Sequence, residues 1–283
     1  MFEKKDVFPI AFEGPFNLKL RVVTSMIEAS QHSSKPASQN ALIKGYDIGL
    51  KFGEGFLLEN VNFEVIQGES LVLIGPSGQG KSSLLKILAG ILDPTSGKLQ
   101  FEGENWDELS ITQRNLHYRK RGMLFQKNAL FDSMTVLENV CFPLLETTTL
   151  SNSEIEKRAI EILESVGLGH ALKLFPDEMS GGMQKRLGIA RALILEPPIL
   201  LNDDPIAGLD PITSRKIIQL ILDLKSRRGI TVISVLNDVN RAYELATRIW
   251  MVMDTTIVDL GAPAQAQNYQ NEKIQNFLKG EPS

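Results

Sequence analysis

Residues 72–85, VLIGPSGQGKSSLL, constrain what this chain can fold into more than any other stretch. An apolar strand runs into a tight turn holding Gly75, Gly78 and Gly80, then Lys81 and Ser82, then an apolar helix. The spacing G-x-x-x-x-G-K-S is that of a P-loop, and a strand before and a helix after are the context that motif requires. Its physics is direct. Glycines let the backbone curl so that successive N–H groups point inward, and the helix start adds positive potential. Lys81 reaches the outer phosphates and Ser82 can ligate Mg²⁺. Gly75, Pro76, Ser77, Gly78, Gln79, Gly80, Lys81, Ser82 and Ser83 are therefore the expected phosphate cradle.

The rest of the composition excludes several partners. A net charge of -4 argues against a dedicated nucleic-acid binder, which needs a basic face. The single cysteine, Cys141, has no partner for a disulfide or a cysteine-based metal site. It lies in an apolar run over 140–145 and reads as a buried structural thiol. No stretch approaches the roughly 18 to 20 apolar residues needed to cross a bilayer. The start, MFEKKDVFPIAFEG, lacks the apolar core of a signal peptide. A cytoplasmic location is expected, with any membrane role exercised through a partner.

Residues 1–40 are expected to form an extension and a tether, the latter from the linker-like SQHSSKPASQN. Two strands, 46–52 and 57–66, are joined through Gly53 and Gly55, and 70–74 is the strand that feeds the P-loop. A helix is expected from 81 to about 91, and short strands at 98–102 and 122–125, the last ending at Gln126. Helical spacing returns over 135–145 and 152–166. Ile155, Ala159, Ile160, Ile162 and Leu163 form one stripe there, with Ser153 and Glu156 as a capping box. A helical subdomain at about 127–178 within a domain over 41–262 is expected, followed by a tail over 263–283 with a short helix at Ile274, Phe277 and Leu278.

Two later stretches carry chemistry. In MSGGMQKRLGIARALIL, Ser180, Gly181 and Gly182 precede a well-patterned helix, so their N–H groups form a second potential anion cradle. One nucleotide needs only one P-loop, so the second cradle is best explained by a nucleotide held on another copy. The strand expected at 197–203 ends in acid, placing Asp203 and Asp204 where α/β sheets bind ligands. An acid there can share Mg²⁺ with Ser82. Asp210 reads as an N-cap, with Pro211 opening a helix to about 225. Strands are expected at 229–235, 249–252 and 257–260.

A P-loop, a Gln after a strand, an SGG helix start, an aspartate-ended strand and a G-L-D loop, in this order, resemble the nucleotide-binding domain of ABC transporters. The intervals from Ser180 to Asp203 and from Asp210 to residue 237 are those of that family, and the resemblance covers 46–254. It implies an α/β P-loop NTPase of the ABC type with an antiparallel β subdomain and a helical subdomain. Phe52 would stack on adenine of ATP, and Gln126 would contact Mg²⁺ and face a membrane permease. Ser180, Gly181 and Gly182 would touch the γ-phosphate bound by a second cassette, expected to be an identical chain, and Asp210 would lie at the dimer interface. GMLFQKNALFDSMTVLENVCFPL, the signature with Met183, AGLDPIT and the tail EKIQNFLKG look most like ATPases of the maintenance-of-lipid-asymmetry (Mla) type. Those work with a permease and an MCE-class substrate-binding protein to move phospholipid between Gram-negative membranes. The resemblance implies a subunit held at the inner membrane through that permease.

Two positions depart from the family pattern. Asp204 stands where the family has the glutamate that polarises the attacking water, and Asn237 stands where it has a switch histidine. Retracting a carboxylate by one methylene misplaces it on the order of 1 Å, which can cost about a hundredfold. Losing a transition-state donor typically costs roughly 10² to 10³. Asn237, Asp204, Lys81 and Gln126 are the expected catalytic set, with Ser82, Gln126 and Asp203 at the metal. ATP binding is expected intact. Slow hydrolysis and an ATP-gated scaffold stand as one alternative, a coadapted Asp204 and Asn237 as the other.

Overall fold

The computed structural model of the chain describes residues 41–281 apart from residue 54. The expectations for residues 1–40 lie outside the described residues.

Strand β1 (Ala41–Phe52) pairs antiparallel with β2 (Gly55–Ile66), and β3 (Ser70–Ile74) leads through the P-loop into α1 (Lys81–Leu88). β4 (Ser96–Phe101) and β5 (Glu104–Asn105) precede α2 (Ile111–Arg119) and β6 (Arg121–Leu124). Three helices follow, α3 (Val136–Thr147), α4 (Asn152–Ser165) and α5 (Gly181–Leu193). β7 (Ile199–Asp203), α6 (Pro211–Arg228), β8 (Thr231–Val235), α7 (Val239–Leu245), β9 (Arg248–Met253) and β10 (Thr256–Gly261) come next. α8 (Pro263–Gln267) and α9 (Glu272–Lys279) end the described chain.

The strands form two sheets. One is antiparallel, in the order β2-β1-β4-β5. The other runs β10-β9-β3-β8-β7-β6, parallel except for β10 at one edge. Alternation along its strands divides the interior in two. Leu71, Leu73, Ile233, Val235, Trp250 and Val252 face a core shared with α1 and the antiparallel sheet. Val72, Ile74, Leu200, Val232, Ile249 and Met251 face a second core shared with α3, α4, α5 and α6. Because both faces are covered, β3, β7 and β8 are buried at every residue, as parallel strands must be.

Several boundaries differ from the sequence expectation, each for a local reason. α1 ends at Leu88 rather than near 91, because Gly90 takes a left-handed φ of 73° just beyond the Ala89 cap. α6 runs to Arg228, and Gly229 is its left-handed cap rather than the first residue of a strand. The capping box of α4 is Ser151 with Glu154, not Ser153 with Glu156. Both pairs fit S-x-x-E, but only the earlier one puts Leu150 before the cap and Ile155 at the fourth helical position, both packed on the same core. That apolar staple selects the frame. Of the predicted stripe, Ile155, Ala159, Ile162 and Leu163 are buried and Ile160 is only half-buried.

α2 was not expected at all. Its sequence ITQRNLHYR buries only His117 and leaves Ile111 and Leu116 exposed, so it has no apolar periodicity to read. A Ser110–Gln113 capping box starts it. α7 and α8 were likewise unread, being 7 and 5 residues long.

Asn139 on α3 is fully buried and anchors the segment after Gln126. Its amide nitrogen donates to the carbonyls of Phe131, Met134 and Thr135, each at 3.0 Å, and its oxygen accepts from Phe131 N at 2.9 Å. Replacing it strands buried backbone groups, so Asn139→Ala is expected to lower unfolding free energy by about 3 kcal/mol in urea titration.

Candidate functional site

A cleft of about 350 Å³ opens at the carboxyl ends of β3, β7 and β8. It is lined by Leu57, Ser77, Gly78, Gly80, Lys81, Ser82, Ser83, Gln126, Asp203, Asp204, Val235 and Asn237. The P-loop forms one wall. Gly75, Gly78 and Gly80 have φ values of 139°, 81° and 91°, which side chains rarely permit. Gly75 is required twice over, since a Cβ there would lie 2.2 Å from the Val252 carbonyl oxygen on β9. Gly80 is the N-cap of α1 and provides no side-chain acceptor, so the first-turn N–H groups remain donors toward an anion.

Lys81 is buried, and its ammonium donates to the carbonyls of Gly75 at 2.8 Å and Pro76 at 2.9 Å. An ammonium has three donors, so one is left for a phosphate. Burial lowers the proton affinity of Lys81, and the charges of Asp204 and Asp203 oppose that shift. Ser82 Oγ donates to Asp203 Oδ1 at 2.8 Å. A hydroxyl and a carboxylate so placed are the hard oxygen donors that Mg²⁺ takes together with phosphate oxygens. Among the described residues no three His, Cys, Asp or Glu side chains cluster as a metal site, so protein groups alone form no cage.

The two residues that depart from the family pattern meet. Asn237 Nδ2 donates to Asp204 Oδ2 at 2.7 Å. Asp204 has a left-handed φ of 49°, its N–H donates to Val235 O at 3.1 Å, and its carbonyl accepts from Ala207 N at 3.2 Å. The backbone therefore turns sharply at the first residue past β7 and aims the short carboxylate into the cleft. Burial raises its pKa above the ordinary carboxylate value, the Asn237 bond and the Lys185 charge opposing this, Asp203 adding to it and Lys81 again opposing. The result is a carboxylate of increased basicity.

Other predicted residues lie apart from this cleft. Phe52, at the end of β1, is 78% exposed and its ring is open to solvent. Gln79 turns away, its side-chain oxygen accepting from Asp254 N at 3.2 Å in the β9–β10 turn. Gly181 and Gly182 lie inside the first turn of α5 rather than before it, with Ser180 as N-cap accepting from Met183 N at 3.3 Å. Asp210 caps α6 through the N–H groups of Ile212 at 2.9 Å and Thr213 at 3.0 Å. Those bonds hold its pKa below the usual range. Phe52, Gln79, Ser180, Gly181, Gly182 and Asp210 do not line the cleft of their own chain. Sequence reasoning missed Leu57 and Val235, apolar walls with no motif to mark them, and the buried Lys185 beside the site.

Cys141 is half-buried on α3 and packs against the second core. Burial, then the charges of Glu156 and Glu138, push its thiol up to about 11.

The ABC transporter family profile matches residues 58–207. The phospholipid transport ATP-binding protein MlaF of Escherichia coli K12 is 36% identical over 239 residues, covering 84% of this chain and 89% of its own. A probable ribonucleotide transport ATP-binding protein, mkl of Mycobacterium leprae, is 39% identical over 229 residues, covering 81% and 66%. The dimeric post-hydrolysis structure of the ATP-binding cassette MJ0796, bound to ADP and Pi, aligns with a TM-score of 0.71 at 34% identity, covering 78% and 98%. No described helix is long and apolar enough to cross a membrane.

Gly75→Ala is expected to lose about 2–4 kcal/mol of stability and to abolish binding of a fluorescent ATP analogue, because a backbone oxygen cannot yield to the added carbon. Alkylation of Cys141 by iodoacetamide at pH 7.5 is expected to run about tenfold or more slower than that of free cysteine, since its thiolate fraction is smaller, an effect only partly offset by the greater nucleophilicity of a higher-pKa thiolate.

Proposed function

The chain belongs to the ABC transporter family, and from that premise we propose that it is the ATP-hydrolysing subunit of a phospholipid transporter, docked on an inner-membrane permease. Two copies sandwich two Mg-ATP molecules. The observation that carries this reading is the single cleft in which Lys81, Ser82, Gln126, Asp203, Asp204 and Asn237 converge. The phospholipid assignment is supported by the MlaF relative, 89% of whose length is covered, against 66% for the ribonucleotide-transport relative.

Each residue has a task in this reading. The P-loop N–H groups and Lys81 bind the phosphates. Ser82 and Asp203 would hold Mg²⁺, with Gln126 beside them, and the bound ion would supply charge neutralisation at the phosphoryl group. Asp204 offers one carboxylate oxygen to Asn237 and keeps the other for the attacking water, so its orientation is set before nucleotide arrives. Phe52 supplies an exposed ring for the base. Ser180, Gly181 and Gly182 present a helix start to the nucleotide of the opposite copy, and Asp210 lies at that interface. An MCE-class protein on the far side of the permease would exchange lipid with it.

The competing reading is a scaffold that closes on ATP and scarcely hydrolyses it. The Asn237–Asp204 bond favours hydrolysis, because a coadapted pair retains the orientation that either change alone loses. Steady-state turnover with the permease in phospholipid vesicles decides, compared with the Asp204→Glu, Asn237→His double variant. Turnover on the order of 1 s⁻¹ or faster, with less than about a tenfold gain in the variant, is expected. Binding without turnover, and recovery beyond about tenfold in the variant, gives the scaffold reading.

A further inference from the structure

One buried charge beside the cleft has no place in the chemistry above. Lys185, on α5, is 3% exposed, yet both acceptors of its ammonium are backbone carbonyls: Gln126 O at 2.7 Å and, at the long end of the range, Asp204 O at 3.5 Å. Gln126 lies two residues past β6 and Asp204 one residue past β7, and these strands are parallel neighbours with Leu124 opposite Asn202. The two carbonyls therefore belong to adjoining loops that leave the same end of the sheet.

What lets one side chain reach both is the close seating of α5. A Cβ on Gly188 would lie 2.4 Å from Leu124 Cδ1, and one on Gly122 would lie 2.2 Å from the Ala192 carbonyl oxygen. With the helix backbone pressed onto β6, the Lys185 stem runs directly to the loop ends. A buried ammonium is tolerated only while its donors are used. Burial lowers its proton affinity, and the nearby Asp204 and Asp203 charges oppose that shift. Separating the two loops would leave the ammonium one carbonyl acceptor in place of two, so its contacts favour the loops staying together.

We propose that Lys185 is a positioning residue that pins the Gln126 and Asp204 loops to each other and to α5, the helix whose start faces the second nucleotide. Asn237 orients the Asp204 side chain, and Lys185 fixes the backbone from which that side chain projects. Its link to turnover rests on the hydrolytic reading; the pin itself rests on the contacts alone.

Lys185→Met keeps the apolar stem and removes the donors, and Lys185→Gln keeps a single, shorter donor. Hydrogen exchange on the full-length chain reads the pin without requiring turnover. In Lys185→Met the amides of residues 125–129 and 204–207 are expected to exchange about fivefold or more faster, together, with Lys185→Gln intermediate. With the permease present, kcat is expected to fall about 10- to 100-fold while the Kd for ATP stays within about threefold. Unchanged exchange in either loop of a folded variant, or a kcat loss matched by an equal rise in Kd, overturns the proposal. If Lys185→Met does not fold, Lys185→Gln is judged by the same criteria. A wild-type chain that binds ATP without turnover refutes the hydrolytic reading instead, and the exchange result still decides the pin.

Discussion

The hydrogen bond from Ser82 Oγ to Asp203 Oδ1 joins residues 121 positions apart, and it exists because of strand order. β8 lies between β3 and β7, so three carboxyl ends stand side by side. The P-loop after β3, the acids after β7 and Asn237 after β8 then open onto one cleft. Parallel strands with both faces covered are what make that possible, since each loop must emerge at the same edge. The two cores on either side of the sheet are the support for this alignment.

Electrostatics within the cleft are balanced by few groups. Two ammonium groups, Lys81 and Lys185, flank two carboxylates, Asp203 and Asp204, and burial works against every charged form whose shift is resolved. Each of the four has a hydrogen-bond partner: Lys81 on the P-loop carbonyls, Asp203 on Ser82, Asp204 on Asn237, Lys185 on the loop carbonyls. Desolvation penalties of this kind are tolerated where the groups are paired and preorganised. The Asp204–Asn237 bond changes how the two departures combine. Under the proposed hydrolytic reading, a shortened acid at Asp204 and a neutral residue at Asn237, taken separately, would each slow the reaction. In contact, they form one oriented group, and their effects cannot be summed.

The segment after Gln126 is held by side chains of α3 and α5 that do not line the cleft. Asn139 on α3 fixes residues 131–135. Arg191 on α5 donates to the Ala129 carbonyl at 2.6 Å and the Asn128 carbonyl at 3.3 Å, in a stretch where both residues are left-handed. The guanidinium also lies 5.3 Å from the Phe131 ring centroid. Helices that carry no P-loop chemistry thus determine where Gln126 can stand.

Local signals in the sequence determined the P-loop, the N-cap at Asp210, the apolar strands and the order of the site residues, because each depends on neighbours within a few positions. The weakly amphipathic α2, the frame of the α4 capping box and the end of α1 were not legible. The α4 frame turns on the packing of Leu150 and Ile155 against the second core, while α1 stops at a left-handed Gly90 and α2 has no apolar stripe to read. Only tertiary structure decided that Asp204 and Asn237, 33 positions apart, share a hydrogen bond, and that Lys185 reaches both loops. Those contacts are set by strand order and helix seating, and neither leaves a periodic trace along the chain.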